Sequence, residues 1–251
     1  MQDDGGVANG GSDRSGATTF TITAVSPDAA DGVAQVLVDT DERGRISSRF
    51  AYDLTPAGDG TEVLMQLPAN VVQRSEAAFD NLVGLYEIAD PQGGIDTNGD
   101  GLADLLPDLL PEKQAEYAEY VLNHRVDNFL IRAGSSGNPD RNTTVTQFGE
   151  VLLAGGKLYA PFVIANAGAV GFAGFQAIEK EESDGLFNDA ADFFNDPVMY
   201  FAFRAANPDN AEHLQSFGNN TFGFEDLPAN LGISDNDFND AVFQFTFASL
   251  G

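Results

Sequence analysis

The chain has 251 residues, 43 % of them hydrophobic, enough to bury a sizeable core in one large β domain or two small ones. Its 39 acidic against 12 basic side chains give a formal charge of −27, which repels nucleic-acid phosphates and anionic lipid headgroups and excludes both as partners. The absence of cysteine removes disulfides, thiolate catalysis and zinc–thiolate sites, and no run approaches the roughly 18 apolar residues of a membrane-spanning helix, so no membrane insertion is expected.

Residues 1–17 are rich in Gly, Asp and Ser, lack both periodicity and the pattern of a signal peptide, and are expected to form a disordered lead-in. Residues 18–251 are expected to form a single domain. From Thr18 the pattern turns to period two: Thr18–Val25, Val33–Thr40 and Ile46–Leu54 predict an opening meander, parted by turn signals at Pro27-Asp28, Asp31-Gly32 and Arg43-Gly44. Glu62–Leu67 and Leu82–Ile88 continue as strands, with one or two helical turns expected at Arg74–Phe79.

A long helix is expected from Glu112 to Arg132. Pro111 suits its first position, Ala118, Val121, Leu122, Val126, Phe129 and Leu130 follow helical spacing, and Gly134 fits the stop. Thr143–Leu153, Lys157–Ala165, Val198–Ala205, Phe217–Phe224 and Ala241–Ala248 then return to strand character. The 20 Phe and 6 Tyr, with no Trp, fall largely in short alternating runs of the kind that fill sandwich interiors. The fold class expected is mainly β: an antiparallel β-sandwich, jelly-roll-like, with one substantial α-helix packed on it and a loop-plus-helix insertion at about 90–134.

Two acidic constellations carry chemistry. The first runs Asp96-Thr97-Asn98-Gly99-Asp100-Gly101-Leu102-Ala103-Asp104, with Asp108 beyond. Calcium takes six to eight oxygens, and this D-x-N-x-D-G spacing offers side-chain oxygens at its first, third and fifth positions and permits a sharp turn at Gly101. It resembles EF-hand, dockerin and thrombospondin-type calcium loops, whose pattern implies Asp96, Asn98, Asp100, the Leu102 carbonyl and Asp104 as ligands. Pro107 stands where those loops place a twelfth-position acid, and Asp108 follows one residue late. The alternative is a solvated Asx-turn loop, since Asn, Asp and Gly make turns by themselves.

The second constellation is Phe222-Gly223-Phe224-Glu225-Asp226-Leu227-Pro228 followed by Ser234-Asp235-Asn236-Asp237-Phe238-Asn239-Asp240-Ala241-Val242-Phe243. Two acid clusters sit at the ends of two strands joined by a short loop. Carboxylates that close must take up protons or a cation, and calcium is the ordinary answer for an all-oxygen site.

These stretches resemble the C-terminal motif of domain-of-unknown-function family 4114, common in cyanobacterial and other bacterial exoproteins; related stretches occur in calcium-dependent modules of repeat-in-toxin adhesins. The resemblance is close over Phe222–Phe245 and extends more weakly to Tyr200–Phe203, Ala206-Asn207-Pro208-Asp209, His213 and Tyr159–Phe162. It implies that Glu225, Asp226, Asp235, Asp237 and Asp240 are calcium ligands or their immediate support. Where members usually carry Gly-Gly before the second acid cluster, this chain has the longer Ala229–Ser234.

His213 is expected to brace the acid site through a hydrogen bond, and His124 to lie on the polar face of the helix. No catalytic triad, metal-hydroxide site or phosphate-binding glycine loop is present, so an enzyme is not expected. The expectation is an extracellular, cell-surface or secreted, calcium-binding structural or adhesive module whose partners are calcium and glycans or other surface proteins. The alternative is a calcium-dependent carbohydrate-binding module. That would need an exposed aromatic platform from Tyr159, Phe187, Phe193, Phe194 or Phe222, near the acidic loop Glu179–Pro197.

Overall fold

The computed structural model describes residues 18–23, 32–66, 77, 79–133, 144–146, 151–181, 186–189 and 196–250. The lead-in 1–17 and four of the six residues of Arg74–Phe79 lie outside them. The fold is mainly β, built from antiparallel pairings that wrap into a sandwich-like, nearly closed sheet. Strands β1 (Thr18–Thr23), β2 (Gln35–Thr40) and β3 (Arg45–Asp53) form the expected meander, and β2 alternates buried Val36, Val38 and Thr40 with half-buried neighbours.

Strand β4 (Glu62–Gln66) lies in a second, three-stranded sheet between β8 (Val151–Ala154) and β14 (Thr246–Ser249). The larger sheet runs β13 (Ala241–Gln244), β12 (Thr221–Phe224), β11 (Leu214–Gly218), β3, β9 (Leu158–Ala165), β5 (Asn81–Ile88), β6 (Ile131–Ala133), β7 (Thr144–Thr146). Several single runs of the sequence thus divide between sheets: Thr143–Leu153 gives β7 and β8, and Ala241–Ala248 breaks at Phe245 into β13 and β14. Phe217–Phe224 closes on itself as the β11–β12 hairpin, whose Asn219 and Asn220 take φ of 51° and 59°, the left-handed pair that a two-residue turn requires.

The large sheet forks, and the fork positions the site. Along the edge of β3 opposite β2, β11 pairs at Arg45 and Ile46 while β9 pairs at Tyr52 and Asp53. Strand β10 (Val198–Phe201) takes the rest of that edge of β9. The chain from β10 to β11 therefore turns inside the fork, and its buried Asn207 bonds both the Phe201 amide, at 2.6 Å, and the Phe201 carbonyl, at 3.2 Å. The core on either side is aromatic. Phe50 meets Phe222 edge-on at 5.0 Å, and Tyr52 meets Phe245 at 5.4 Å, which ties the two sheets together through the break between β13 and β14.

Helix α1 spans Pro111–Asn123, with Pro111 at its start and Tyr117, Ala118, Val121 and Leu122 buried. It ends nine residues before the expected Arg132, so Gly134 is not its stop. Past the His124 cap, the Val126 amide bonds the Leu85 carbonyl at 2.7 Å, Asn128 turns left-handed at φ 60°, and Ile131–Ala133 pairs with β5. Sheet pairing there overrides helical spacing: Phe129, Ile131 and Ala133 are buried at alternate positions. A second helix that the sequence pattern does not announce, α2 (Gly171–Glu181), buries Phe175 and Glu179 one turn apart. Gly171 and Gly174 weaken its propensity, and tertiary packing decides it.

Helix α1 is pinned to the sheet by a buried chain of hydroxyls: the Tyr117 hydroxyl donates to the Gly93 carbonyl at 2.7 Å and meets the Tyr86 hydroxyl at 2.9 Å. Tyr117→Phe would strip both partners at once. It is expected to cost about 1–3 kcal/mol in urea denaturation, the penalty of buried polar groups left unpaired.

Candidate metal centre

The register of β12 on β13 builds the site. Phe224 faces Ala241, so Glu225 and Asp240 leave the ladder side by side. Backbone bonds hold them there, Glu225 N–H to the His213 carbonyl at 3.0 Å and Asp240 N–H to the Phe224 carbonyl at 3.2 Å. The Asp226 amide donates to Asp240 Oδ2 at 2.9 Å, and Asn81 Nδ2, at the start of β5, donates to Asp226 Oδ2 at 2.7 Å. Glu225, Asp226 and Asp240 are only 2 %, 1 % and 7 % exposed, and each brings one carboxylate oxygen within 4.8 Å of the others. Glu225 meets the same test with the exposed Asp235 and Asp237. All five second-constellation acids thus converge.

Burying three carboxylates together is costly while they are charged. Glu225 is pushed up to about 7, by burial first and the Asp240 charge next, against the opposing pull of the His213 charge and of the Ser234 hydroxyl, which lies nearby without forming a well-aligned hydrogen bond. Burial likewise raises Asp226 and Asp240 well above the usual carboxylate range; the Glu225 charge adds at Asp226 and the Asp226 charge at Asp240. Both carboxylate oxygens of Glu225, Asp226 Oδ1 and the Tyr200 hydroxyl are buried without a hydrogen-bond partner.

The orphaned oxygens fit a cation. Two oxygens bound to one calcium at roughly 2.3–2.6 Å lie no more than about 5.2 Å apart. The spacing of these carboxylates meets that limit, and the donor set contains neither sulfur nor nitrogen, which selects hard cations. The geometry defines a possible acidic metal-binding cluster.

Its supports come from several elements. The His213 ring stacks on Tyr200 at 3.7 Å, with Nδ1 2.8 Å from the Glu225 carbonyl and Nε2 3.1 Å from Asp209. The expected brace is thus present, made to the backbone of Glu225. Asp209 Oδ2 also accepts the Ala229 amide at 2.9 Å, so one pair grips both ends of the 225–229 segment. Burial raises the Asp209 pKa, but the His213 hydrogen bond and charge and the Ala229 and Ala211 amides outweigh it, leaving the group below its ordinary value.

Across the site, Gly223 allows the loop from 234 to 240 to close on β12: a Cβ there would lie 2.1 Å from the Phe238 carbonyl oxygen. Asn81 and Tyr200 escaped the sequence reading, because each reaches the cluster from a strand remote in the chain. A lone Asn opening an apolar strand was the only signal for Asn81.

The first constellation has a different character. Asp96 Oδ1 accepts the amides of Asn98, Gly99 and Asp100, and Oδ2 accepts that of Gly101 at 2.6 Å. These bonds, Gly101 foremost, hold Asp96 below its ordinary pKa. Asn98 Oδ1 accepts from Asp100, Asp100 Oδ1 from Leu102, and Asp104 from Thr97 and the Asn98 side chain. Asp108 accepts the Leu110 amide at 3.0 Å, next to the start of α1. The loop folds on its own bonds and does not bring three of its carboxylates within 4.8 Å of one another.

Two of the proposed platform aromatics are buried. Tyr159 and Phe222 are core residues at 4 % and 0 % exposure, Phe187 packs edge-on against Phe175 at 5.7 Å, and Phe193 and Phe194 lie outside the described residues. The Glu179–Pro197 loop is partly helix: Glu179 belongs to α2, where it accepts the Asn188 amide, and Asn188 in turn bonds Met199 on β10. His124, placed on a helix face by spacing, instead caps α1 and stacks on Tyr120 at 3.9 Å.

Fold and site together define an antiparallel β-sandwich protein with an acidic cluster suited to a metal ion. Residues 153–248 match the model of a family described as a domain of unknown function, DUF4114. That stretch runs from β8 into β14 and contains all five converging acids, whereas the Asp96 loop and α1 lie upstream of it. Comparison with curated proteins and with solved structures returned no match. Among the described residues, no helix is long and apolar enough to cross a membrane.

Proposed function

We propose that this protein is an extracellular calcium-binding structural or adhesive module of a bacterial surface or secreted protein, and that it is not an enzyme. The observation that carries the reading is Glu225, 2 % exposed with both oxygens unpartnered, facing Asp226 and Asp240. A cation there would neutralise charge that is otherwise offset only by protons. Calcium suits the site better than magnesium, because calcium tolerates irregular carboxylate geometry while magnesium holds tightly to its waters. Bound calcium would fasten the open ends of β12 and β13, the job a disulfide performs in other secreted domains, and this chain has no cysteine. The dependence fits millimolar extracellular calcium.

The test is calorimetry of chelator-stripped protein with calcium, paired with melting curves. A ligand of the native state alone stabilises by RT ln(1 + [L]/Kd), about 2.7 kcal/mol at a hundredfold Kd, so a clear rise in melting temperature is expected. Asp240→Asn should melt no lower than the wild type without calcium, since it removes a buried charge, yet lose most of the calcium-induced rise. A full rise in that variant would sink the assignment.

One observation favours the carbohydrate-binding alternative. A cleft of about 220 Å³ lined by Glu87, Ile95, Asp96, Tyr120 and His124 opens beside the Asp96 loop, with the stacked Tyr120–His124 pair in its wall. Aromatic faces and carboxylates are what sugar rings and their hydroxyls engage. Calcium-dependent glycan binding abolished by Tyr120→Ala would support it.

A further inference from the structure

We propose that the acid cluster holds two cations that share the carboxylate of Glu225, an inner ion with Asp226 and Asp240 and an outer ion with Asp235 and Asp237; this rests on the cation reading above. Glu225 belongs to both groups of three carboxylates whose oxygens lie within 4.8 Å of one another. A carboxylate shared in this way presents one oxygen to each ion. Both Glu225 oxygens are buried without partners. A single ion either chelates both oxygens, leaving Asp235 and Asp237 without a cation, or binds one and leaves the other bare in a place that water scarcely reaches, at the full penalty of an unpaired buried acceptor.

Charge points the same way. Five carboxylates converge, and one divalent ion offsets two of their charges, whereas two ions offset four. The two positions also differ in solvent. Glu225, Asp226 and Asp240 are buried, so the inner ion is stripped of most water; Asp235 and Asp237 are exposed, so the outer ion keeps several waters and exchanges faster. Asp237 is already oriented, accepting the Asn239 amide at 3.2 Å and its side-chain nitrogen at 2.6 Å. The outer ion thereby acts as a latch, drawing the loop between 232 and 239 onto the buried inner site.

The experiment counts ions by native mass spectrometry of the full chain carrying Asp96→Asn and Asp100→Asn, which removes the exposed loop as a source of counts. Two calcium ions per chain are expected. Adding Asp235→Asn and Asp237→Asn, both at exposed positions, should leave one ion at near-undiminished affinity. Europium luminescence lifetimes in light and heavy water should resolve a dry and a hydrated population, the hydrated one vanishing in that variant. A count of one ion in the starting protein, unchanged by Asp235→Asn/Asp237→Asn, overturns the shared site, as does loss of all ions in that variant. No bound ion in the starting protein overturns the cation reading itself.

Discussion

Stripped of divalent cations, the protein is expected to lose stability as the pH rises from about 4 to about 8, and excess calcium is expected to abolish that loss. A carboxyl whose folded pKa lies above its unfolded value binds its proton more tightly in the native state. Its stabilisation is complete below the unfolded pKa and is lost as the pH climbs through the folded one. For Glu225 that window opens near the ordinary glutamate value of about 4.3 and closes near about 7. Asp226 and Asp240, raised by burial and by neighbouring negative charge, carry the loss further in the same direction and titrate as a pair.

Asp96 and Asp209, held below their ordinary values, act oppositely but only at acid pH, where their native bonds fail as they take up protons. Calcium competes with protons for the same oxygens, so binding at neutral pH should release at least one proton and tighten as the pH rises. Melting curves across this range with chelator and with calcium, and calorimetry in buffers of different ionisation enthalpy, read both effects. A cation-free stability that is flat or rising across the window, or calcium uptake without proton release, would refute the arrangement of the cluster.

What the sequence made legible follows from how far each signal reaches. Period-two alternation located β2 and the start of β3, and short apolar runs located β5 and β9, whose residues are nearly all buried. Partner choice is not local, so Ala241–Ala248 read as one strand although its halves join different sheets at Phe245. The end of α1 was misplaced for the same reason: Val126, Phe129 and Leu130 satisfy helical spacing, and only the neighbouring β5 draws them into extension. At the site, Glu225, Asp226, Asp235, Asp237 and Asp240 were visible because they cluster in the chain. Asn81 was not, lying 145 residues from the aspartate it holds. Nor could spacing show that Asp96 spends its carboxylate on four amides while Glu225 has none to spend it on.

Phe238→Ala is expected to be the most damaging single substitution near the cluster, for stability and for calcium together. Phe238 sits in the left-handed region at φ 58°, where a bulky side chain costs about 1–2 kcal/mol, yet it is 1 % exposed, with the Arg45 guanidinium 5.6 Å from its ring. Burial of the ring stabilises that backbone, which carries Asp237 just before it and Asp240 two residues after. Truncating a buried Phe ordinarily costs about 3–5 kcal/mol. Here it also releases the turn that closes the loop on Gly223. The melting temperature should fall sharply, and at temperatures where the variant remains folded its calcium affinity should fall at least about tenfold, or 1.4 kcal/mol. Phe238→Leu, which keeps an apolar anchor, should retain most of that affinity. If Phe238→Ala destabilises the fold but binds calcium as tightly as the wild type, the ring is only filling the core, and the acids find one another without it.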